Sequence, residues 1–217
     1  MDRNGRARDT APMLLGRRFG ARFVIESVTA CLVTRGDRPE AMARIHASLR
    51  FLECRVWNNA KGPDWKCAGR YLAALSSRSQ FVYFQDDDVI VPRETQEALV
   101  ARFFEAGVDC VANWGHGENA DGYDDLPLVC GGAVVDAMKC QDAILRYAEH
   151  YPLDDAFKYE ADFVVGVLYD SFEHMRLPFE IDYEIAQSPE RLCNQPWQRD
   201  LKLEITNRAR AIRDGLV

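Results

Sequence analysis

The chain has 217 residues, of which 47% are hydrophobic and 28% are charged, and its formal net charge is −7. This length suits one hydrophobic core, and no apolar run reaches the roughly 20 residues of a membrane-spanning helix, so we expect a single soluble domain. The acidic balance argues against general nucleic-acid binding. The seven cysteines include no C-x-x-C pair, which indicates reduced thiols in a cytoplasmic protein rather than a disulfide framework or a zinc site.

Charge is distributed unevenly along the chain. Residues 1–22 contain six arginines and two aspartates, for a net charge of +4, whereas the remainder carries −11. We interpret residues 1–22 as a flexible, solvated basic arm, with a polyanion-binding arm or a transit peptide as the alternatives. Residues 23–217 are then expected to form the folded domain.

The first predicted elements alternate between strand and helix. The apolar, β-branched run over 28–33 (VTACLV) predicts a strand that is buried on both faces. A helix is predicted to begin at a capping box formed by Asp37 and Glu40, and its apolar face contains Met42, Ile45, Leu49 and Leu52. A short strand over 54–57 and an Asn-Asn turn follow, and they lead to a helix whose apolar face contains Ala68, Leu72 and Leu75.

The rest of the chain continues this alternation. A strand over 81–84 (FVYF) leads directly into the acidic triplet Asp86–Asp88. The later predicted elements are an extended segment over 89–91, a helix that buries Leu99, Phe103 and Phe104 and ends at Gly107, a strand over 108–112, a loop over 113–125, a strand over 128–135, a helix over 136–150 and a C-terminal helix through Ile205 and Ile212. Within 128–135, Gly131-Gly132 predicts a bulge or the close approach of another group. Alternating strands and helices predict an α/β fold with a mainly parallel sheet.

Polar turns follow the first three strands, at residues 34–37, 58–59 and 86–88. Ligands of parallel α/β sheets bind outside the carboxyl ends of the strands, so we expect these turns to converge. If the chain stays extended through the triplet, Asp86 and Asp88 share a face and repel each other, which favours a divalent cation that bridges them to a diphosphate. A solvated turn or a helix cap is the alternative, but apolar runs on both sides make this an unfavourable place for three uncompensated charges.

The ordered motifs resemble those of a known enzyme family. In sequence they are VTACLVTRGDRP, VWNNA, the K-x-x-x-R segment with Lys66 and Arg70, and FVYFQDDDVIVP. Together they are similar to the nucleotide-sugar-binding half of GT-A glycosyltransferases, over residues 28–165, and Asp86–Asp88 corresponds to the D-x-D signature of that family. The resemblance implies a single Rossmann-like GT-A domain with a mainly parallel central sheet flanked by helices. It places a nucleotide-binding half over 23–112 and an acceptor half with the C-terminal helix over 113–217.

The resemblance also implies where the donor nucleotide binds. The turn after the first strand would hold the base and ribose through Thr34, Arg35 and Asp37. The turn after the second strand would lie near the nucleoside through Asn58 and Asn59.

The acidic triplet would bind the diphosphate part of the donor. The resemblance implies that Asp86 faces the nucleotide and that Asp88 holds Mn²⁺ or Mg²⁺ on the diphosphate, with Asp86 and Asp87 beside it. Lys66 or Arg70 would stabilise the negative charge that builds up on the leaving diphosphate.

A carboxylate is needed to accept the proton of the acceptor hydroxyl. The resemblance implies that it comes from the segment YEADF over 159–163, in which we favour Asp162 over Glu160. The expected reaction is an inverting, metal-dependent transfer from a nucleoside-diphosphate sugar, most often a UDP-sugar in this family. The acceptor stays open between a glycan, a lipid-linked sugar, a small molecule and, with less support, a hydroxylated DNA base.

Several of these residues also have less specific interpretations. Lys66 and Arg70 are typical solvent-facing charges of a helix, and Asp162 is a candidate helix cap. Trp114 is a candidate for stacking on a sugar but more commonly closes a core, and His116 is more typical of a solvated loop than of a site.

Three other functions compete with glycosyl transfer. A haloacid-dehalogenase-like phosphohydrolase also uses D-x-D, but Ile90 occupies the position where that family has threonine. A nucleotidyltransferase would have a Gly-rich phosphate loop, for which TRGDRP is a poor match. A non-catalytic module that binds a metal ion or a carbohydrate is the third alternative.

Overall fold

A six-stranded sheet forms the centre of the protein. The computed structural model describes residues 25–114, 126–181 and 195–217. The predicted basic arm over 1–22 lies outside the described residues, as does most of the predicted loop over 113–125, with His116.

The sheet is mainly parallel. Its strands are β1 (Val28–Thr34), β2 (Glu53–Asn58), β3 (Phe81–Phe84), β5 (Cys110–Trp114), β6 (Leu128–Asp136) and β7 (Phe172–His174), in the order β2-β1-β3-β6-β5-β7. Neighbouring strands are parallel in the pairs β1–β2, β1–β3 and β5–β7, and β6 is antiparallel to both β3 and β5. Two short strands, β4 (Val89–Ile90) and β8 (Glu180–Ile181), form a separate antiparallel pair.

Helices pack on both faces of the sheet. They are α1 (Pro39–Ser48), α2 (Gly69–Leu75), α3 (Arg93–Ala106), α4 (Ala137–His150), α5 (Asp155–Leu168) and α6 (Gln198–Arg213), and a 3₁₀ turn over Lys66–Ala68 precedes α2. Successive side chains of β3 point to opposite faces of the sheet. Val82 and Phe84 pack with α2, α4 and α5, whereas Tyr83 packs with α3. The predicted α/β fold with a mainly parallel sheet flanked by helices is therefore confirmed. None of the helices in the described ranges is long and apolar enough to cross a membrane.

The strand register brings the three predicted turns together at the carboxyl ends of β1, β2 and β3. Thr34 at the end of β1 lies opposite Asn58 at the end of β2, and β3 runs parallel to β1 on its other side. All seven residues of β1 are buried, as its continuously apolar sequence predicts for a central strand covered on both faces. The predicted convergence of these turns is confirmed.

The predicted capping box of α1 is wrong. Arg38 occupies the N-cap without a capping side-chain hydrogen bond, because the carboxylate of Asp37 forms an ion pair with Arg35 instead. The helix also ends at Ser48, before Leu52, whose side chain is exposed. Phe51 takes the buried position that the pattern had predicted for Leu52.

The predicted apolar face of α2 is only partly correct, since Ala68 is buried and Leu72 is half-buried. Leu75 is exposed, whereas Arg70, Tyr71 and the small residues Ala73 and Ala74 are buried. The reason is close packing, since a Cβ atom on Gly69 would lie 2.5 Å from the Trp57 ring. A helix this close to the sheet accommodates small side chains at its contact face.

Gly132 permits a close contact between β6 and the side chain of Tyr83. Its φ of +102° is rarely adopted by other residues, and a Cβ atom would lie 2.8 Å from the Tyr83 hydroxyl. The predicted close approach of another group is confirmed here, and that group is a buried tyrosine of the protein itself.

We expect Gly132→Ala to lower the free energy of unfolding by about 2–4 kcal/mol, because it combines backbone strain with overpacking. Gly62→Ala is the matched control, since no atom lies within 4 Å of its Cβ position. Urea unfolding of both variants measures the difference. Equal stabilities would show that the Tyr83 contact is not constrained.

Candidate functional site

The acidic triplet forms a turn rather than an extended segment. β3 ends at Phe84 and β4 begins at Val89, with a turn at residues 87–88. The fully buried Gln85 braces this turn, because it accepts a hydrogen bond from the Tyr83 hydroxyl (2.9 Å) and donates one to the Val89 carbonyl (2.7 Å). The shared face of Asp86 and Asp88 was predicted for an extended chain, and the chain is not extended here. Each aspartate has its own surroundings.

Asp86 joins the end of β3 to α2 and β6. Its carboxylate accepts a hydrogen bond from Nη2 of Arg70 at 2.6 Å, and its backbone N–H donates to the Cys130 carbonyl at 3.2 Å. Asp86 keeps about a fifth of its side chain exposed, so the ion pair lies at the boundary between core and solvent.

Arg70 is a buried cation between two carboxylates. The residue is 3% exposed, and besides Asp86 it lies 3.5 Å from Oδ2 of Asp162. Its Nε donates to the Cys67 carbonyl at 3.3 Å, and within the described part of the chain its buried Nη1 has no hydrogen-bond partner. The solvent-facing interpretation of Arg70 is wrong, because the guanidinium points inward to the acidic cluster.

Asp162 lies within α5, on the other side of Arg70. Oδ1 of Asp162 accepts a hydrogen bond from the Tyr71 hydroxyl at 2.8 Å. The helix-cap interpretation of Asp162 is wrong, since Asp154 is the N-cap of α5 and accepts from the backbone N–H of Phe157. Burial raises the pKa of Asp162 and the charge of Asp86 raises it further, whereas Arg70 and the Tyr71 hydroxyl lower it.

Asp87 and Asp88 lie in different surroundings from Asp86. Burial raises the pKa of Asp87, as does the neighbouring Asp86, while Arg38 and a hydrogen bond from Thr34 lower it. Asp87 is therefore directed to the end of β1. Asp88 is more buried, at 5% exposure.

The polar residues that follow β1 and β2 organise their own turns. Asn58 accepts from the backbone N–H of Ala60 at 2.9 Å, and the Asn59 amide donates to the Lys66 carbonyl at 3.1 Å. Arg35 and Asp37 form an exposed ion pair. The predicted nucleoside contacts of these residues stay predictions, but the structure places them at the same sheet edge as the triplet.

Lys66 lies one turn from Arg70 and faces a different group. Its ammonium forms an ion pair with Asp64 and lies 5.3 Å from the centre of the Tyr159 ring. The hydrogen bond that the ammonium donates to Asp64 raises the pKa of Lys66. Its predicted contact with the diphosphate stays a prediction.

Glu160 belongs to a separate contact between α5 and α6. Its backbone dihedrals are non-helical and kink α5, and its carboxylate accepts a hydrogen bond from Nε2 of Gln198 at 2.8 Å. Burial raises the pKa of Glu160 from its usual 4.5 to about 7, although Gln198 and Lys202 lower it. Glu160 is thus held by the C-terminal helix, whereas Asp162 is held by Arg70 and Tyr71.

The donor chemistry of the triplet and Asp162 suits a hard divalent cation. Carboxylate oxygens are the ligands that Mg²⁺ and Mn²⁺ prefer, and the raised pKa values of Asp87 and Asp162 indicate that positive charge is favourable here. Within the described ranges, no three or more His, Cys, Asp or Glu side chains are grouped as a metal site. One or two aspartates fit such an ion, with the remaining ligands taken from water or a bound diphosphate.

Sequence analysis missed four residues that shape this site. They are Arg38, Tyr71, Gln85 and Gln198. Gln85 had a sequence signal, because a polar residue directly after a buried strand must find hydrogen-bond partners. The roles of the other three depend on contacts between distant segments.

We expect Glu160→Gln to raise the free energy of unfolding by about 3 kcal/mol near pH 8 and to have little effect near pH 4, because the native state disfavours the charged form of Glu160. The contribution of the carboxyl to stability is retained below its unfolded pKa of 4.5 and is lost as the pH rises to about 7. Urea unfolding at several pH values measures it. The exposed Glu149→Gln is the control, and an effect of Glu160→Gln that does not change with pH would contradict this assignment.

Comparisons with known proteins give limited similarities. No protein-family model and no curated protein matches the chain. Among solved structures, it is similar to crystal structures of Staphylococcus aureus TarS: residues 1–349 alone (12% identity, 87% of this chain and 72% of that chain covered, TM-score 0.48) and in complex with UDP (13%, 82% and 69%, 0.46) or UDP-GlcNAc (13%, 87% and 72%, 0.42).

Proposed function

We propose that the protein is a glycosyltransferase that transfers a sugar from a nucleoside-diphosphate sugar to an acceptor hydroxyl, with a divalent metal ion and inversion at the sugar carbon. The observation that carries this proposal is the buried Arg70, which stands between Asp86 at a strand end and Asp162 on a neighbouring helix. Asp86 thus lies beyond the carboxyl end of a parallel strand, where nucleotides bind in α/β sheets. Asp162 is close enough to act on the same substrate.

The donor would bind along the carboxyl ends of β1, β2 and β3. Thr34, Arg35 and Asp37 would contact the base and ribose, and the turn with Asn58 and Asn59 would border the nucleoside. These side chains follow adjacent parallel strands, so one extended nucleotide can reach all of them.

The diphosphate would lie against the acidic turn. Asp88, with Asp86 or Asp87, would hold Mn²⁺ or Mg²⁺, which neutralises the diphosphate and the charge that builds up when it leaves. Arg70, held beside Asp86, would add a fixed positive charge near the leaving diphosphate.

Asp162 would be the base that accepts the proton of the acceptor hydroxyl. A base must be ionised to act, and Arg70 and the Tyr71 hydroxyl both favour its ionised form against the effect of burial. Glu160 is the less suitable candidate, because it belongs to the contact with Gln198 of α6 and not to the contacts of Arg70 with Asp86 and Asp162.

Nucleotide binding is the first test. We expect UDP with Mn²⁺ to stabilise the protein by about 2.7 kcal/mol at a concentration 100 times the Kd, and either component alone to stabilise it much less. Thermal-shift measurements with UDP, GDP and ADP compare the nucleotides. Asp88→Asn should remove the metal-dependent part, whereas Asp142→Asn, at an exposed position of α4, should retain it. If no nucleotide gives a metal-dependent shift, the proposal is wrong.

The pH dependence of transfer tests the role of Asp162. We expect Asp162→Asn to reduce kcat by at least about 100-fold while nucleotide binding is retained, as for loss of a general base. Tyr71→Phe removes a hydrogen bond to the charged carboxylate, so the acidic limb of the pH–kcat profile should move up by about one pH unit. Tyr147→Phe, a buried tyrosine in α4, is the control. An unchanged profile in Tyr71→Phe would exclude Asp162 as the titrating base.

A phosphohydrolase would give a different result. It would release phosphate from a phosphomonoester such as p-nitrophenyl phosphate, with Asp86 as the nucleophile. Hydrolysis of this compound without any turnover of a sugar nucleotide would favour that alternative.

A further inference from the structure

Aromatic rings and lysines form a continuous surface beside Asp162. We name it the aromatic–lysine surface, and it consists of Trp65, Lys66, Lys158, Tyr159 and Trp197. The ring centres of Tyr159 and Trp197 are 5.1 Å apart in an edge-to-face arrangement. Nζ of Lys66 lies 5.3 Å from the Tyr159 ring and Nζ of Lys158 lies 5.5 Å from the Trp65 ring.

This surface adjoins the two segments that carry Arg70 and the proposed base. Lys66 precedes Arg70 by four residues and Tyr159 precedes Asp162 by three, so the same two segments make the Lys66–Tyr159 contact and the Arg70–Asp162 contact. The thiol of Cys67 fixes the two segments together, because it donates to the carbonyls of Lys158 (3.2 Å) and Tyr159 (2.8 Å).

Exposure increases along this surface away from the base. Asp162 is 9% exposed, Tyr159 is half-buried, and Trp197 is 42% exposed. Trp197 is thus the end of this surface that is open to a ligand, and Tyr159, three residues before Asp162, is its inner end.

The charges on this surface are balanced. Lys66 forms an ion pair with Asp64, and Lys158 forms one with Asp155 at 2.8 Å. These pairs add no net charge, but they supply hydrogen-bond donors and acceptors around the aromatic rings. Aromatic rings surrounded by these ion pairs suit a ligand with apolar C–H groups and many hydroxyls, rather than a polyanion.

We propose that the aromatic–lysine surface binds an uncharged sugar unit of the acceptor, so that the acceptor is a glycan. The inference rests on the proposed function and names the class of acceptor. A sugar unit that stacks on Trp197 and Tyr159 directs a neighbouring hydroxyl to the Asp162 carboxylate.

Ligand-observed NMR with a panel of neutral methyl glycosides and oligosaccharides tests binding directly. We expect saturation transfer to at least one neutral sugar without nucleotide or metal, and much less to dextran sulfate, which represents polyanionic acceptors. Trp197→Ala should abolish the transfer signal, and Trp197→Phe should restore part of it. Leu203→Ala, at an exposed position of the same helix, should leave it unchanged. No signal from any neutral sugar, or an equal signal in Trp197→Ala, would overturn the proposal.

Kinetics separate failure of this inference from failure of the proposed function. With a sugar that binds, we expect Trp197→Ala to raise the KM for the acceptor about tenfold, equivalent to about 1.4 kcal/mol, while the UDP–Mn²⁺ thermal shift is unchanged. An unchanged acceptor KM with normal nucleotide binding would reject the sugar surface and retain the glycosyltransferase. Sugar binding without any nucleotide binding by the wild-type protein would reject the glycosyltransferase and indicate a carbohydrate-binding module.

Discussion

The ion pairs of Arg70 with Asp86 and Asp162 are the interaction on which the arrangement of the site depends. A guanidinium that is 3% exposed is stable only where carboxylates compensate for its lost hydration. Because these two carboxylates belong to the β3–β4 turn and to α5, the pairing fixes three elements of the chain relative to one another. The same contact that makes Arg70 tolerable in the interior therefore sets the separation of the two acids.

The three aspartates of the triplet differ in their surroundings, and these surroundings give them different roles. Asp86 is paired with Arg70, Asp87 lies near Thr34 and Arg38, and Asp88 is more buried than either. Gln85 produces this divergence, since its two hydrogen bonds hold the chain in a turn where an extended strand would have alternated the side chains. Three identical neighbours in sequence thus become three chemically different groups.

The sequence predicted the positions of strands and helices more accurately than it predicted which of their side chains are buried. The strands over 28–33 and 81–84 were recognisable because a central parallel strand is apolar throughout, and Gly107 ends α3 in the left-handed conformation that favours glycine. The burial of Arg70 and the exposure of Leu75 were not predictable from periodicity, because close packing of α2 on the sheet selects small residues and a cation with distant partners. The position of Asp162 relative to Asp86 has the same origin, since the two residues are 76 positions apart and Arg70 bridges them.

The disfavoured negative charges of the site favour one kind of ligand. Burial and repulsion from Asp86 disfavour the charged forms of Asp87 and Asp162, so the site gains from an added cation. A diphosphate without a cation would be repelled by the same carboxylates. A diphosphate that carries its own divalent ion supplies the positive charge and avoids this repulsion, which is why the proposed donor complex suits this site better than a free diphosphate.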